Sequence, residues 1–311
     1  MANETSATWT AFRASRWFPL VWVVPVLVVL AVAAVLVARW LRTLPSVIEW
    51  LALYPGEYAL PASAQVGFLA WVSWLHFFNA FLIVLIIRSG WQVRTVRRPP
   101  AFWTRNNSGL LRTKQPPKKI SLHLWFHQSL DVLWLVNGVA FVILLFATGH
   151  WVRIVPTSWD VFPNAASALL QYASFNWPTE NGWVNYNSLQ QLSYFGVIFV
   201  LAPLAALTGV RMSGLWPAES RINRIYPVEW ARAVHFPVML AFVLFIIVHV
   251  TLVLATHALR NLNHMYAGRD DDSWWGIGIF AVSLIVMAGA VVAAQPIVLR
   301  PIAALFGKVG R

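Results

Sequence analysis

The sequence predicts an all-α integral membrane protein with six transmembrane helices. Three observations carry that prediction. Of 311 residues, 59% are hydrophobic and only 11% are charged, whereas a soluble domain carries about 25% charged residues. Six apolar stretches each approach the roughly 20 residues needed to cross a bilayer. Lys and Arg, finally, fall mostly on one side of those stretches.

The six stretches run approximately over 20–40, 66–87, 130–149, 192–210, 234–254 and 274–297. The first follows a polar N-terminus with Arg13 and Arg16, and no small-residue cleavage site comes after it. It therefore reads as a retained helix and not as a signal peptide. With the N-terminus inside, the inner segments hold 18 Lys and Arg: two before the first span, nine over 88–119, four over 211–232 and three after the last span. The outer segments hold five: Arg39, Arg42, Arg153, Arg260 and Arg269. Basic residues collect on the cytoplasmic side, so both termini are expected in the cytoplasm, and the acidic residues lie mostly outside.

The net charge of +12 is thus a topology signal, which removes a nucleic-acid partner from consideration. With no cysteine, disulfides, iron–sulfur clusters and thiolate metal sites are excluded. The basic inner loop "RTVRRPPAFWTRNNSGLLRTKQPPKK" reads as an anchor against anionic lipid, with partner docking as the other use. The outer segment 151–191 contains "SFNWPTENGWVNYN". It is too polar to span and too aromatic for a plain linker, and fits a docking surface, a lid or a set of interfacial anchors. No internal repeat stands out.

The stretch "HFPVMLAFVLFIIVH", His235 to His249, bears the chemistry. Fourteen helical residues are roughly 21 Å of rise and a net turn of about −40°, so the two rings share a face at two depths. On the second span "WLHFFNAFLIVL" puts His76 in the outer half, and on the third "HLWFHQSLDVLW" puts His123 and His127 near the inner end. Depth matching pairs His76 with His249 and His127 with His235; His123, one turn earlier on the same face, is an alternative to His127. One intramembrane histidine can simply hydrogen-bond a neighbouring helix; four that pair by depth need more. Asp131 is the one carboxylate near the membrane core, so hard-metal and zinc-type sites are poorly supplied. Imidazoles in pairs suit haem iron with a histidine on each axial face, an electron carrier with no open coordination position. His150, His257 and His264 fall at outer ends or loops, where interfacial or surface roles are expected.

These residues resemble a known group. "LHFFNAFLIVLIIRSG" looks like the first haem helix of the bacterial di-haem cytochrome b subunits of formate dehydrogenase, NiFe-hydrogenase and thiosulfate reductase, within the cytochrome b561 superfamily. "HQSLDVLWLVNG" is similar to their second helix, where a His precedes Asn-Gly by ten residues; His127 and Asn137 meet that spacing, which favours His127. "YNSLQQLSYFGVIFVLAPLAALTGVRMSG" resembles the third helix and "ARAVHFPVMLAFVLFIIVHVTLVLATHALRNLNHMYAG" the fourth, with its two histidines.

The resemblance implies a four-helix haem-binding bundle with one extra helix at each end. Three parts follow: an extra helix and outer loop over 1–65, the di-haem core over 66–268 and a last helix with a cytoplasmic tail over 269–311. It implies two b haems on His76/His249 and His127/His235, in a bacterial plasma membrane. Electrons would pass between the quinone pool and an outer-face molybdopterin or hydrogenase-type enzyme, with no substrate-converting site in this chain. The extra first span inverts the core relative to formate dehydrogenase-like relatives. A proton-coupled transporter and a haem-free membrane anchor are the competing readings; the first would recruit more Asp or Glu within the spans.

Overall fold

The computed structural model describes residues 13–15, 18–108, 112, 116–177, 181–214, 216–217, 219 and 221–311. Arg16 and Lys114 of the charge pattern, and 178–180 of the outer segment, lie outside them. Among the described residues six helices are long and apolar enough to cross a membrane: α1 Leu20–Leu41, α3 Ala70–Thr95, α4 Leu122–Ala147, α6 Ser188–Met212, α7 Val228–Ala255 and α9 Trp275–Ala293. Shorter helices are α2 Pro45–Leu53, α5 Val161–Ala173, α8 Ala258–Leu262 and α10 Pro296–Ala304. The all-α membrane architecture is as the composition requires.

Several helix ends extend past the apolar stretches, while α9 falls short of its stretch at both ends. The clearest case is α4, which starts at Leu122 and not near residue 130, because Ser121 caps it by accepting from Leu124 N–H at 3.1 Å. Hydropathy sees only the hydrocarbon layer; the cap sees where the helix begins. His123 and His127 therefore stand in the first two turns of α4. At its other end Gly149 takes φ +74°, a left-handed stop that suits glycine.

The helices turn their histidines away from lipid. On α4 the exposed residues Val132, Val136, Val139 and Ile143 lie about 120–180° around the helix from His127. On α7 exposed Leu240, Leu244 and Ile247 stand at about the same angles from His235. The α6 span contains a π turn, Val197–Leu201, just before Pro203. Proline lacks the N–H and crowds the preceding turn, and one extra residue in the turn relieves both.

The described residues fall into two compact units. The first takes in those within Met1–Ala59, Thr157–Glu180 and Tyr186–Gln190. Here Arg39 Nε donates to Ser174 O at 3.0 Å and Arg42 Nη1 to Ser174 Oγ at 2.8 Å. Ser174 is the C-cap of α5, so two of the outer cations sit at the negative end of a helix dipole. Asn164 Oδ1 accepts from Gly56 N–H at 3.0 Å, tying α5 to the loop after α2.

The second unit holds the remainder. Beside the start of α4 lies a small sheet that the sequence did not announce: β1 Phe102–Arg105 between β2 Ile120–Ser121 and β3 Gly307–Gly310, all antiparallel. The strands are too short to show a period, and the β1 and β3 partners are about two hundred positions apart in sequence. The C-terminal stretch expected as a tail is folded: Leu299 and Ala303 of α10 pack with Ala101, Leu122 and Trp125. This plug seats the start of α4, and with it His127.

Candidate functional site

Each predicted histidine pair is brought together in space. The His76 and His249 rings are 6.4 Å apart centre to centre, from α3 and α7. The His127 and His235 rings, from α4 and α7, are also 6.4 Å apart. Of the two candidates on α4, it is His127 that meets His235. Metal–imidazole bonds of about 2.0 Å place two trans imidazole centres about 6.4 Å apart. The donor set and its spacing therefore fit one iron between the rings of each pair.

The His127/His235 pair, called inner after the sidedness expected from the charge pattern (His76/His249 being the outer one), has a second layer of partners. Ser89 Oγ lies 3.0 Å from His127 Nδ1 and donates its own proton to Ile86 O. Thr208 Oγ1 lies 2.8 Å from His235 Nδ1 and donates to Leu204 O at 2.6 Å. A hydroxyl has one proton. With that proton on a carbonyl, each oxygen accepts from Nδ1–H, which leaves the Nε2 lone pair for a metal. Such outer partners fix tautomer and ring orientation at metal sites. His127 Nε2 lies 3.7 Å from Asp131 Oδ2, beyond hydrogen-bond range.

Each hydroxyl is followed by a glycine. A Cβ on Gly90 would stand 3.1 Å from His127 Cε1, and one on Gly209 3.7 Å from His235 Cε1. Ser89-Gly90 on α3 thus cradles the histidine of α4, and Thr208-Gly209 on α6 cradles that of α7. The sequence reading gave neither hydroxyl a role; its available signal was a hydroxyl-glycine pair near the inner end of two different spans. Asn79 and Asn137, also in the resemblance motifs, stitch α3 to α4. Asn79 Oδ1 accepts from Trp134 Nε1 at 2.8 Å, and Asn137 Nδ2 donates to Leu75 O at 3.2 Å.

The outer pair sits among rings. Phe245 stacks on His249 at 5.5 Å, Tyr194 meets it edge-on at 6.0 Å, and Tyr266 meets His76 edge-on at 6.1 Å. His76 Nδ1 is buried with no hydrogen-bond partner among the described residues.

The family model of prokaryotic cytochrome b561 matches residues 68–268, a segment that contains all four histidines. The chain belongs to that family. Cytochrome b561 proteins of this kind are membrane proteins that bind haem b and transfer electrons. Comparison with curated proteins and with solved structures gives no match. The helices α1 and α9 of this cytochrome lie outside the matched segment.

Two other histidines correct the sequence reading. His150 and His264, expected in interfacial or surface roles, are buried within the protein, 4% and 3% exposed. His264 stacks on Phe68 and donates from Nε2 to Asp270 Oδ1 at 2.7 Å. Asp270 is itself gripped by Arg260 at 2.6 and 3.0 Å. That grip, with the His264 bond, holds the Asp270 carboxyl down at about 2. Burial, reinforced by Arg153, pushes His150 down to about 4. Neither ring shows its burial in the local sequence, because the residues that cover them come from other segments. His264 lies in a π turn, Asn263–Ala267, which Asn263 clamps by accepting from Gly276 N–H at 2.6 Å. A Cβ on Gly276 would meet the Asn263 backbone nitrogen at 2.3 Å, so only glycine permits that approach.

Proposed function

We propose that this cytochrome carries two b haems, on His76/His249 and His127/His235, and conducts electrons across the membrane between a redox partner and the quinone pool. The observation that carries the reading is the equal 6.4 Å spacing of the two ring pairs. A haem held by these imidazole pairs would supply one-electron transfer and leave no position for a substrate. The chain's own residues do the rest: the histidines hold the iron, Ser89 and Thr208 orient the inner rings, and Phe245, Tyr194 and Tyr266 exclude water from the outer ones. The charge asymmetry supports cytoplasmic termini in a bacterial plasma membrane. The His76/His249 pair then serves an outer-face enzyme of molybdopterin or hydrogenase type, and the His127/His235 pair a quinone near the inner face.

A pyridine haemochrome assay on purified protein should approach two haems per chain, with a low-spin b spectrum in the reduced-minus-oxidised difference. A folded, haem-free preparation from haem-replete cells would refute the reading in favour of a bare anchor or a transporter. Sidedness is tested by single cysteines in this cysteine-free chain, at the exposed positions Ser108 and Asp272. Ser174, though also in an outer segment, is only 2% exposed and unsuited. An impermeant thiol reagent on intact cells should label Asp272→Cys and spare Ser108→Cys. The reverse pattern would invert inner and outer and leave the pairing as it is.

A further inference from the structure

The last helix presents a face that does not suit water. Helix α10 begins three positions after α9 ends and turns Leu299 and Ala303 against Ala101, Leu122 and Trp125. A helix on a protein surface ordinarily carries polar residues on its opposite face. By helical geometry that face of α10 holds Ile297, Pro301, Ala304 and Leu305. All four are exposed, Ile297 by 83% and Leu305 by 78%. Arg300 is the only charged or polar side chain on the helix. A helix that is apolar on both faces needs hydrocarbon on the outward one.

The same surface is cationic. Segments 88–121 and 291–311, which supply the sheet and α10, hold twelve Lys and Arg and no Asp or Glu. Lys118, Lys119, Arg300, Lys308 and Arg311 are all exposed. Charge and apolar surface meet in a groove of about 380 Å³, lined by Arg300 and Arg311 together with Ala101, Pro301, Ala304 and Val309. The walls are tied down. Arg300 Nη2 donates to Pro100 O at 2.5 Å, Lys119 Nζ to Arg311 O at 2.9 Å and Trp103 Nε1 to Ala303 O at 2.9 Å. A guanidinium has five N–H donors, more than one carbonyl can accept.

Two guanidiniums lining one groove suit an anion, and a phosphate accepts from both. The apolar face beside them suits acyl chains. An anionic lipid supplies both at once, and basic pockets beside membrane helices bind such headgroups. A second copy of the chain would cover the apolar face too, but would bring two strongly basic surfaces together. We propose that this groove binds an anionic phospholipid, its phosphate on Arg300 and Arg311 and its acyl chains over Ile297 and Leu305. Both arginines lie outside the segment that the family model matches, and the proposal is independent of the haem reading.

The test titrates the purified full chain, in neutral detergent, with phosphatidylglycerol or phosphatidylcholine and counts retained lipid by native mass spectrometry. Phosphatidylglycerol should occupy one tight site that phosphatidylcholine does not. Arg300→Gln and Arg311→Gln should each weaken that site about tenfold, the scale of one charge-assisted hydrogen bond. Arg97→Gln, which removes an exposed cation outside the groove, should leave it intact. Arg311 stands one residue past β3, so its variant keeps the test valid if Arg300→Gln misfolds. Inorganic phosphate at the same concentration should not displace the lipid, because it leaves the apolar face uncovered; displacement would make the groove a plain anion site and overturn the proposal. Equal retention of the two lipids, or equal weakening by Arg97→Gln and Arg311→Gln, would overturn it by reducing the binding to general attraction. A dimer that forms without lipid and is broken by Leu305→Gln would give the face to a second copy and overturn it too.

Discussion

The inner and outer histidine pairs have the same ring spacing and opposite surroundings. Around His127 and His235 each Nδ1 meets a hydroxyl, at 3.0 and 2.8 Å. Around His76 and His249 the neighbours are Phe245, Tyr194 and Tyr266, and the polar groups stand further out, at Trp71, His150 and Arg153. Hydrogen bonding to Nδ1 raises the basicity of the ligand nitrogen and stabilises the higher charge on a bound metal. An aromatic enclosure disfavours that charge by lowering the local dielectric. Haems held as proposed on the two pairs would therefore differ in potential although their ligands are identical.

The comparison breaks most completely if a ligand is removed. His249→Ala or His76→Ala should take haem content from two to one per chain and spare the inner spectrum; His235→Ala or His127→Ala should do the converse, and His123→Ala should remove neither. Pyridine haemochrome assay reads all five. Each emptied site should also destabilise the bundle by roughly 2–5 kcal/mol, as large vacated volumes in cores do. Loss of haem from His123→Ala with retention in His127→Ala would move the inner ligand by one turn.

A smaller effect is expected from the hydroxyls. Ser89→Ala and Thr208→Val should each loosen the inner haem by about 10–100-fold, the usual result of deleting a partner behind a metal-bound histidine. The outer haem should be unaffected, as followed by haem-transfer kinetics and by redox titration. If both haems respond equally, the hydroxyls are general packing groups and the contrast between the pairs is not real.

The two glycines offer a finer test. Gly90→Ala puts a methyl 3.1 Å from the His127 ring, closer than ordinary contact, whereas Gly209→Ala leaves 3.7 Å to His235. The first should perturb the low-spin signal of the inner haem in electron paramagnetic resonance; the second should be nearly silent.

The smallest expected effect is at the outer clasp. Arg260 and His264 hold Asp270 at about 2, below the ordinary value of about 4. A depressed carboxyl stabilises the fold above its unfolded value and ceases to do so as pH falls through its folded value. The thermal stability gap between wild type and Asp270→Asn should therefore be present at pH 5 and close between about pH 4 and pH 2. A gap that persists at pH 2 would mean the clasp does not act through this ionisation.

Much of the site was legible before any coordinates, but unevenly. Four histidines could be paired by depth because helical rise converts residue number into height, and height is the one coordinate a membrane helix shares with its neighbours. The choice between His127 and His123 was not settled by height, since one turn is smaller than the uncertainty in a span's ends. The cap at Ser121 and the plug of α10 and β3 set the start of α4. Ser89 and Thr208 were passed over because a hydroxyl in a span most often bonds its own preceding turn, as both of these also do; only the glycine after each marked them. The burial of His150 and His264 was missed for a related reason, that Phe68, Trp71, Trp183 and Asp270 reach them from separate segments.

By itself, then, the sequence determined the solvent, the number of spans and the heights of the histidines. Those follow from composition and from the constant rise of a helix, which need no knowledge of what lies alongside. Tertiary structure decided which faces meet: the hydroxyls behind the inner rings, the aromatic enclosure of the outer ones, and the burial of His150 against Trp71. Rotation about the helix axis and the choice of neighbouring helix are set by packing of side chains from distant segments, and no local pattern in the chain encodes them.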